Sequence, residues 1–142
     1  MIQSKYILDI LDLTFDGLDF EDSLRKQIPF LSEKHEEHTG IGLIIDFLVE
    51  PGIELYRSSA DKAQNLDTQG NRTEMLNGVE IKNEELKVLA DATVHLTNGI
   101  IDCVEILNKN GEMYPLKELQ EYELTQLWLD ITQRRSIKKR KL

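Results

Sequence analysis

Several features of common protein classes are scarce in this chain. Its 142 residues include one cysteine, Cys103, so no disulfide can form within the chain. No apolar run approaches the roughly 18 to 20 residues of a membrane-spanning helix, and acidic side chains interrupt the first residues, unlike a secretory signal. The only glycine pair at short spacing, Gly40 and Gly42, precedes a strand pattern, so it is no phosphate loop. We expect a protein of the reducing cytoplasm.

Basic side chains are also scarce over most of the length. The last nine residues hold six of the 17 lysines and arginines and none of the 26 acidic residues. Residues 1–133 therefore carry 11 basic against 26 acidic side chains, a formal charge of −15. Such a body repels nucleic acids and anionic membranes and attracts cationic proteins. For the basic tail, residues 134–142, RNA contact, targeting and folding back on the body are open, and a solvated tail is the simplest expectation.

The strongest local signal is Asn98-Gly99, which joins two β-rich runs. This dipeptide suits a type I′ hairpin turn, because both central residues of that turn have positive φ. The simplest register gives three facing pairs: Leu96 with Ile101, Val94 with Cys103, and His95 with Asp102. A three-residue bulged loop would break the last pair.

The remaining segments differ in how clearly they indicate a structure. Apolar spacing predicts helices over residues 4–15 and 19–28, the second ended by a proline. Residues 40–49 alternate like a central strand, and residues 57–77 are poor in apolar side chains, which predicts a long mobile loop. Residues 116–131 fit a helical face, although their end also alternates as a strand would.

These elements predict an α+β fold. Its N-terminal helices would pack on a mainly antiparallel sheet with a central β-hairpin, and a C-terminal helix would complete it. The length favours a single domain, over residues 1–133, followed by the basic tail over 134–142.

Two motifs are incomplete metal sites. Residues 12–23 place oxygen ligands and a glycine as a calcium loop does, but Ser23 stands where a bidentate glutamate is needed. His35 and His38 could offer two imidazoles to zinc from one helix face, but the sequence singles out no third ligand. We therefore expect no metal and no cofactor.

One pair of residues fits general-base catalysis. His95 and Asp102 could form an oriented imidazole, but no nucleophile, electrophilic stabiliser or pocket has a sequence signature. A polar cross-strand pair is the simpler interpretation, so no catalytic residue is assigned and no enzyme is expected. Cys103 lies between apolar neighbours without a nearby cation, which indicates a packing thiol.

The block Leu96–Pro115, followed by Tyr122-Glu-Leu-Thr-Gln-Leu-Trp128, resembles small bacterial proteins. Some of these are similar to the immunity proteins that neutralise toxins of contact-dependent and polymorphic toxin systems. The resemblance covers a minor part of the chain and carries over no functional residue. It implies a stoichiometric inhibitor with no chemistry of its own.

Charge and resemblance predict the same function, a cytoplasmic, non-enzymatic immunity protein that binds a cationic toxin domain. Acidity would speed association and let the inhibitor cover a cleft for polyanions. The acidic positions to test first as partner contacts are Asp9, Asp12, Asp16, Asp19, Glu21 and Asp22, and His35, Glu36 and Glu37. Two alternatives stay open, a structural domain that forms homo-oligomers and a small enzyme that uses His95 and Asp102. No nucleic-acid or membrane partner is expected.

Overall fold

A seven-stranded antiparallel sheet dominates the structure, a computed structural model that describes residues 1–58 and 68–140. Two helices come first, α1 (Lys5–Phe15) and α2 (Glu21–Gln27), and short 3-10 turns cover Ile28–Phe30 and Ile53–Tyr56. The strands are β1 (Leu31–His38), β2 (Gly42–Val49), β3 (Thr73–Asn83), β4 (Val88–Thr97), β5 (Ile100–Asn108), β6 (Tyr122–Gln126) and β7 (Ser136–Lys139). Their order across the sheet is β1-β2-β5-β4-β3-β6-β7.

The two faces of this sheet differ. Every second residue of β4, from Val88 to Leu96, is buried, and α1 contacts β3, β4 and β6 on that side. The alternate residues, such as Asp91 and His95, are partly exposed. No helix or strand of the described ranges covers them, so we call this side the open face. The hydrophobic core thus lies between the helices and one side of the sheet.

This architecture corrects the predicted fold class. The C-terminal helix predicted over residues 116–131 is absent, and β6 lies in its place. Tyr122, Leu124 and Gln126 alternate into the core because β6 pairs with residues 79–82 of β3. The α+β fold with a helical layer and a C-terminal helix is therefore wrong, since two short helices pack on a much larger sheet.

The central hairpin has the predicted turn but a different register. Asn98 and Gly99 have φ values of 51° and 76°, which confirms the turn, and the pair Leu96 with Ile101 is confirmed as well. A β-bulge then shifts the register between His95 and Leu96. The two other predicted pairs are wrong, because His95 faces Cys103 and Val94 faces Val104.

The basic tail does not extend freely into solvent. Ser136–Lys139 forms β7 on the edge of β6, and the Arg135 guanidinium lies 3.3 Å from an oxygen of Asp12 and 3.2 Å from one of Asp16. The expectation of a solvated tail is therefore wrong for residues 136–139, which fold back on the acidic body.

The loop predicted over residues 57–77 has a mixed outcome. Residues 73–77 belong to β3, whereas residues 59–67 lie outside the described part of the chain. Neither α1 nor α2, nor any other helix in the described ranges, is long and apolar enough to cross a membrane.

Candidate functional site

The middle of the open face is acidic and has no strong cation of its own. Strands β2, β4 and β5 contain no lysine or arginine. They carry four carboxylates on the open face, those of Asp46, Asp91, Asp102 and Glu105. Because cross-strand partners share a face of a sheet, this group of four residues forms one surface, which we call the acidic patch.

Exposed apolar side chains lie among these carboxylates. Leu48 is 53% exposed, Leu107 45% and Met75 63%, all on the open face. Large apolar side chains next to unneutralised charge are typical of surfaces that bind other proteins.

Contacts within the face pair one carboxylate of the patch with a lysine and hydrogen-bond two others. Lys109 Nζ lies 3.0 Å from an oxygen of Asp91, and it also holds Glu80 at 2.8 Å. Glu105 contacts the imidazole of His95 at 3.1 Å, and Asp102 accepts a hydrogen bond from a threonine hydroxyl. The negative charge is thus strongest on the side of β1 and β2, away from Lys109.

A depression interrupts the open face beside the acidic patch. It has a volume of about 380 Å³ and lies between β5 and the bulge of β3, where Asp91, Glu105 and Leu107 contribute to its wall. Gly78 forms the bulge with a φ of +123°, and a Cβ there would lie 2.7 Å from Trp128. Glycine is therefore required at the rim, both for its backbone angle and for the close indole.

The predicted acidic cluster of the helices lies on the other side of the sheet, where most of it is neutralised within the chain. Asp9 is buried, with Lys5 Nζ at 2.6 Å and the Tyr122 hydroxyl at 2.7 Å. The other ion pairs are Asp12 with Arg25 and Arg135, Asp16 with Arg135, Glu21 with Arg25, and Asp22 with Lys26. Among the six predicted acids of this cluster, Asp19 is exposed and has no ion pair with a described residue.

These contacts also change the acidity of two members. Partial burial opposes ionisation of Asp16, but hydrogen bonds from Gln126 and Arg135 outweigh it and lower the pKa of the carboxyl. A backbone hydrogen bond from Gly17, followed by one from Arg25, lowers the pKa of Glu21. Such charges stabilise the helix layer more than they attract a partner.

The predicted cluster His35 to Glu37 belongs to strand β1. His35 and Glu37 lie on the open face next to Asp46, and Glu36 lies on the helix side. In a strand, His35 and His38 point to opposite faces, so the predicted pair of zinc ligands is not formed. Within the described ranges, no group of three or more histidine, cysteine or acidic residues could hold a metal ion.

The predicted pair of His95 and Asp102 is not formed either. The bulge in β5 moves Asp102 out of register, and it accepts a hydrogen bond from Thr97 Oγ1 at 2.9 Å. His95 contacts Glu105 instead. The hypothesis of an enzyme built on the His95–Asp102 pair therefore loses the contact on which it depended.

Cys103 lies within the acidic patch, because its register partners on the neighbouring strands are Asp46 and His95. Burial, and then the charges of Asp102, Asp46 and Glu105, raises the pKa of the thiol to about 12. At about pH 8, such a thiol holds roughly 1000-fold less thiolate than an unperturbed one.

We expect iodoacetamide to alkylate Cys103 in the folded chain at least roughly 100-fold more slowly than in urea, where the thiol is neither buried nor surrounded by acids. Mass spectrometry of timed samples measures both rates on the one cysteine of the chain. Equal rates in folded and unfolded protein would contradict the raised pKa of the Cys103 thiol.

Sequence reasoning located the acidity of the chain but not this surface. A signal was present, since residues 88–108 contain no lysine or arginine. The neighbourhood of Asp46 and Cys103 depends on β2 pairing with β5, which no local pattern indicates. Comparisons with protein-family models, curated proteins and solved structures find no match for this chain.

Proposed function

We propose that this protein is a non-enzymatic inhibitor of the immunity type that binds a cationic protein, such as a toxin domain, on the open face of its sheet. The observation that carries the proposal is the acidic patch on three adjacent strands without lysine or arginine. The resemblance of Leu96–Pro115 and residues 122–128 to bacterial immunity proteins supports the same function.

The mechanism of such an inhibitor is binding alone. The acidic body attracts a basic partner over long range and raises the association rate, an effect that salt screens. At contact, Leu48, Leu107 and Met75 offer apolar area, and the carboxylates around them pair with the partner's cations. A toxin that acts on nucleic acid carries its cations in the cleft for the polyanion, so covering that cleft would block its activity.

The charge distribution across the face favours a partner bound toward β1 and β2. Lys82, Lys109 and Lys138 lie on or next to the half formed by β3, β6 and β7, where they pair with acids of the same chain. The half formed by β1, β2 and β5 has Glu37, Asp46 and Asp102 available. A cationic surface would therefore be attracted to that half.

The test uses affinity capture from a lysate at low and high salt, with two variants of equal charge change. One variant neutralises the patch by Asp46→Asn, Asp102→Asn and Glu105→Gln. The control neutralises the helix side by Asp19→Asn, Asp22→Asn and Glu54→Gln, the last of these in the 3-10 turn that contacts α2. We expect a basic protein to be retained stoichiometrically at low salt. Its affinity for the patch variant should be at least roughly tenfold lower than for the unchanged chain, and its affinity for the control variant should not change. Equal loss in the control, or capture unaffected by salt, would overturn the proposal.

Self-association is the alternative use of the exposed apolar residues. Two copies that met through their open faces would oppose the same unneutralised carboxylates, which is unfavourable. We therefore expect sedimentation velocity to show a monomer at all concentrations. A dimer that persists on dilution and is broken by Leu48→Lys would favour the structural domain over the inhibitor.

A further inference from the structure

Strand β1 forms one edge of the sheet over eight residues, from Leu31 to His38, and residues 34–38 are exposed. An edge strand leaves half of its backbone N–H and C=O groups without a partner in the sheet. Such an edge accepts an extended segment of another protein as an added strand.

The register identifies the free groups of this edge. The N–H of Thr39 donates to the carbonyl of Gly42 at 3.0 Å, and the same register pairs Glu37 with Ile44. Since hydrogen-bonded pairs alternate with non-hydrogen-bonded pairs in an antiparallel ladder, Glu36 and His38 direct their N–H and C=O groups away from β2.

The edge carries acidic side chains on both faces of the sheet. Glu37 lies on the open face beside Asp46. On the helix side, Glu33, Glu36 and Glu118 line a cleft of about 280 Å³. Lys34 is the one strong cation within β1, and it lies at a bulge.

The opposite edge has the opposite charge. β7 spans four residues, among them Lys138 and Lys139, and Arg140 follows it. A basic segment is repelled from β7 and attracted to β1, whereas an acidic segment would prefer β7. Two β1 strands would also repel each other.

From these observations we infer that the cationic partner adds a lysine- or arginine-rich extended segment to β1, as an eighth strand whose cations alternate between Glu37 and Asp46 on one face and Glu36 and Glu118 on the other. The inference rests on the proposed function, because it names how a cationic partner engages this chain. Charges on an edge strand also prevent aggregation. If that is their role here, no strand is added to β1, and the test below distinguishes this outcome.

The first test is amide exchange of the full chain with a synthetic peptide as long as β1, built of lysine pairs separated by single valines so that lysines lie on both faces of the added strand. We expect the amides of Glu36 and His38 to exchange roughly tenfold or more slowly with the peptide present, because they become hydrogen-bonded. The same peptide with glutamate in place of lysine is the control and should leave these amides unchanged. Binding of the lysine peptide without protection of these two amides would overturn the inference.

A pair of variants separates the backbone from the charge. Glu36→Pro removes an outward N–H, which an edge strand tolerates, and Glu36→Gln removes the charge alone. We expect the proline variant to lose the peptide and the captured protein, and the glutamine variant to weaken both only partly. If Glu36→Pro keeps the captured protein while the patch variant loses it, the added strand is wrong and the inhibitor proposal stands. If neither variant changes capture, the proposed function itself fails.

Discussion

Replacing Gln27 with leucine is expected to lower the free energy of unfolding by about 2–4 kcal/mol. Gln27 is the last residue of α2 and is fully buried. Its amide nitrogen donates to the carbonyls of Tyr56 and Gly99, each at 2.9 Å, and its amide oxygen accepts from the N–H of Ile101 at 2.9 Å. One side chain thus ties α2 to the end of the central hairpin.

The size of this effect comes from the groups left behind. Leucine has a similar volume but leaves the Ile101 N–H and the Tyr56 carbonyl without these partners, at a cost of about 1–3 kcal/mol for each buried group. The Gly99 carbonyl loses less, since it also accepts from the N–H of Ser58 at 3.0 Å.

Urea unfolding followed by circular dichroism measures the difference. The matched control is Gln120→Leu, because Gln120 is exposed and its change should alter the free energy of unfolding by less than about 0.5 kcal/mol. A cost below about 1 kcal/mol for Gln27→Leu would show that the buried amide does not hold the hairpin.

Stability is expected to fall steeply above about pH 10, by about 4 kcal/mol in total at about pH 11. Three tyrosines, Tyr6, Tyr114 and Tyr122, are 4% exposed or less. The hydroxyls of Tyr6 and Tyr114 lie 2.7 Å apart, and that of Tyr122 donates to Asp9 at 2.7 Å. Folding therefore buries three phenols in their protonated form.

The direction follows from the pKa of each phenol. Burial is the main cause for all three, and it raises the pKa of Tyr114 to about 12. The neighbouring Tyr114 adds to the rise in the pKa of Tyr6, and the hydrogen bond to Asp9 adds to the rise in the pKa of Tyr122. The unfolded chain releases these protons near pH 10.0 and the folded chain only at higher pH. The contribution of each phenol to the free energy of unfolding is thus complete below pH 10.0, and it is lost as the pH rises through the pKa of that phenol in the folded chain. The loss by about pH 11 is about 1.3 kcal/mol per tyrosine.

Urea unfolding at a series of alkaline pH values measures how steeply the free energy of unfolding falls with pH. Ultraviolet titration measures the ionisation of the phenols. Tyr114→Phe is the control, because it removes one of the three protons and should reduce the slope by about one third. A free energy of unfolding that is constant between about pH 9 and about pH 11 would contradict the prediction.

Local patterns predicted what short-range chemistry determines. The Asn98-Gly99 turn depends on two residues that tolerate positive φ, so its prediction needed no other part of the chain. The alternation of Leu43, Ile45 and Phe47 predicted the buried side of β2. The bulge that separates His95 from Asp102 could not be predicted, because one extra residue in β5 costs little locally and the packing of the whole strand decides it.

Residues 116–131 show the same limit for secondary structure. Their apolar residues fit both a helix and a strand, and only the free edge of β3 decides between the two, since its pairing with β6 satisfies the backbone of Tyr122–Gln126. The roles of Gln27 and Gln126 were equally hidden, because a buried glutamine has no pattern that distinguishes it from an exposed one.

The sequence by itself determined the composition of this protein: its strong acidity, its single cysteine, its tight hairpin turn and the absence of cations from residues 88–108. Only the tertiary structure decided which acids remain available. Ion pairs with Lys5, Arg25, Lys26 and Arg135 neutralise five of the six helix acids. Pairing of β2 with β5 and of β5 with β4 instead collects four carboxylates on the open face, of which Asp91 is the one paired with a lysine in the described ranges. The physical reason is that charge depends on the residues present, but the field that a partner meets depends on the distances between them.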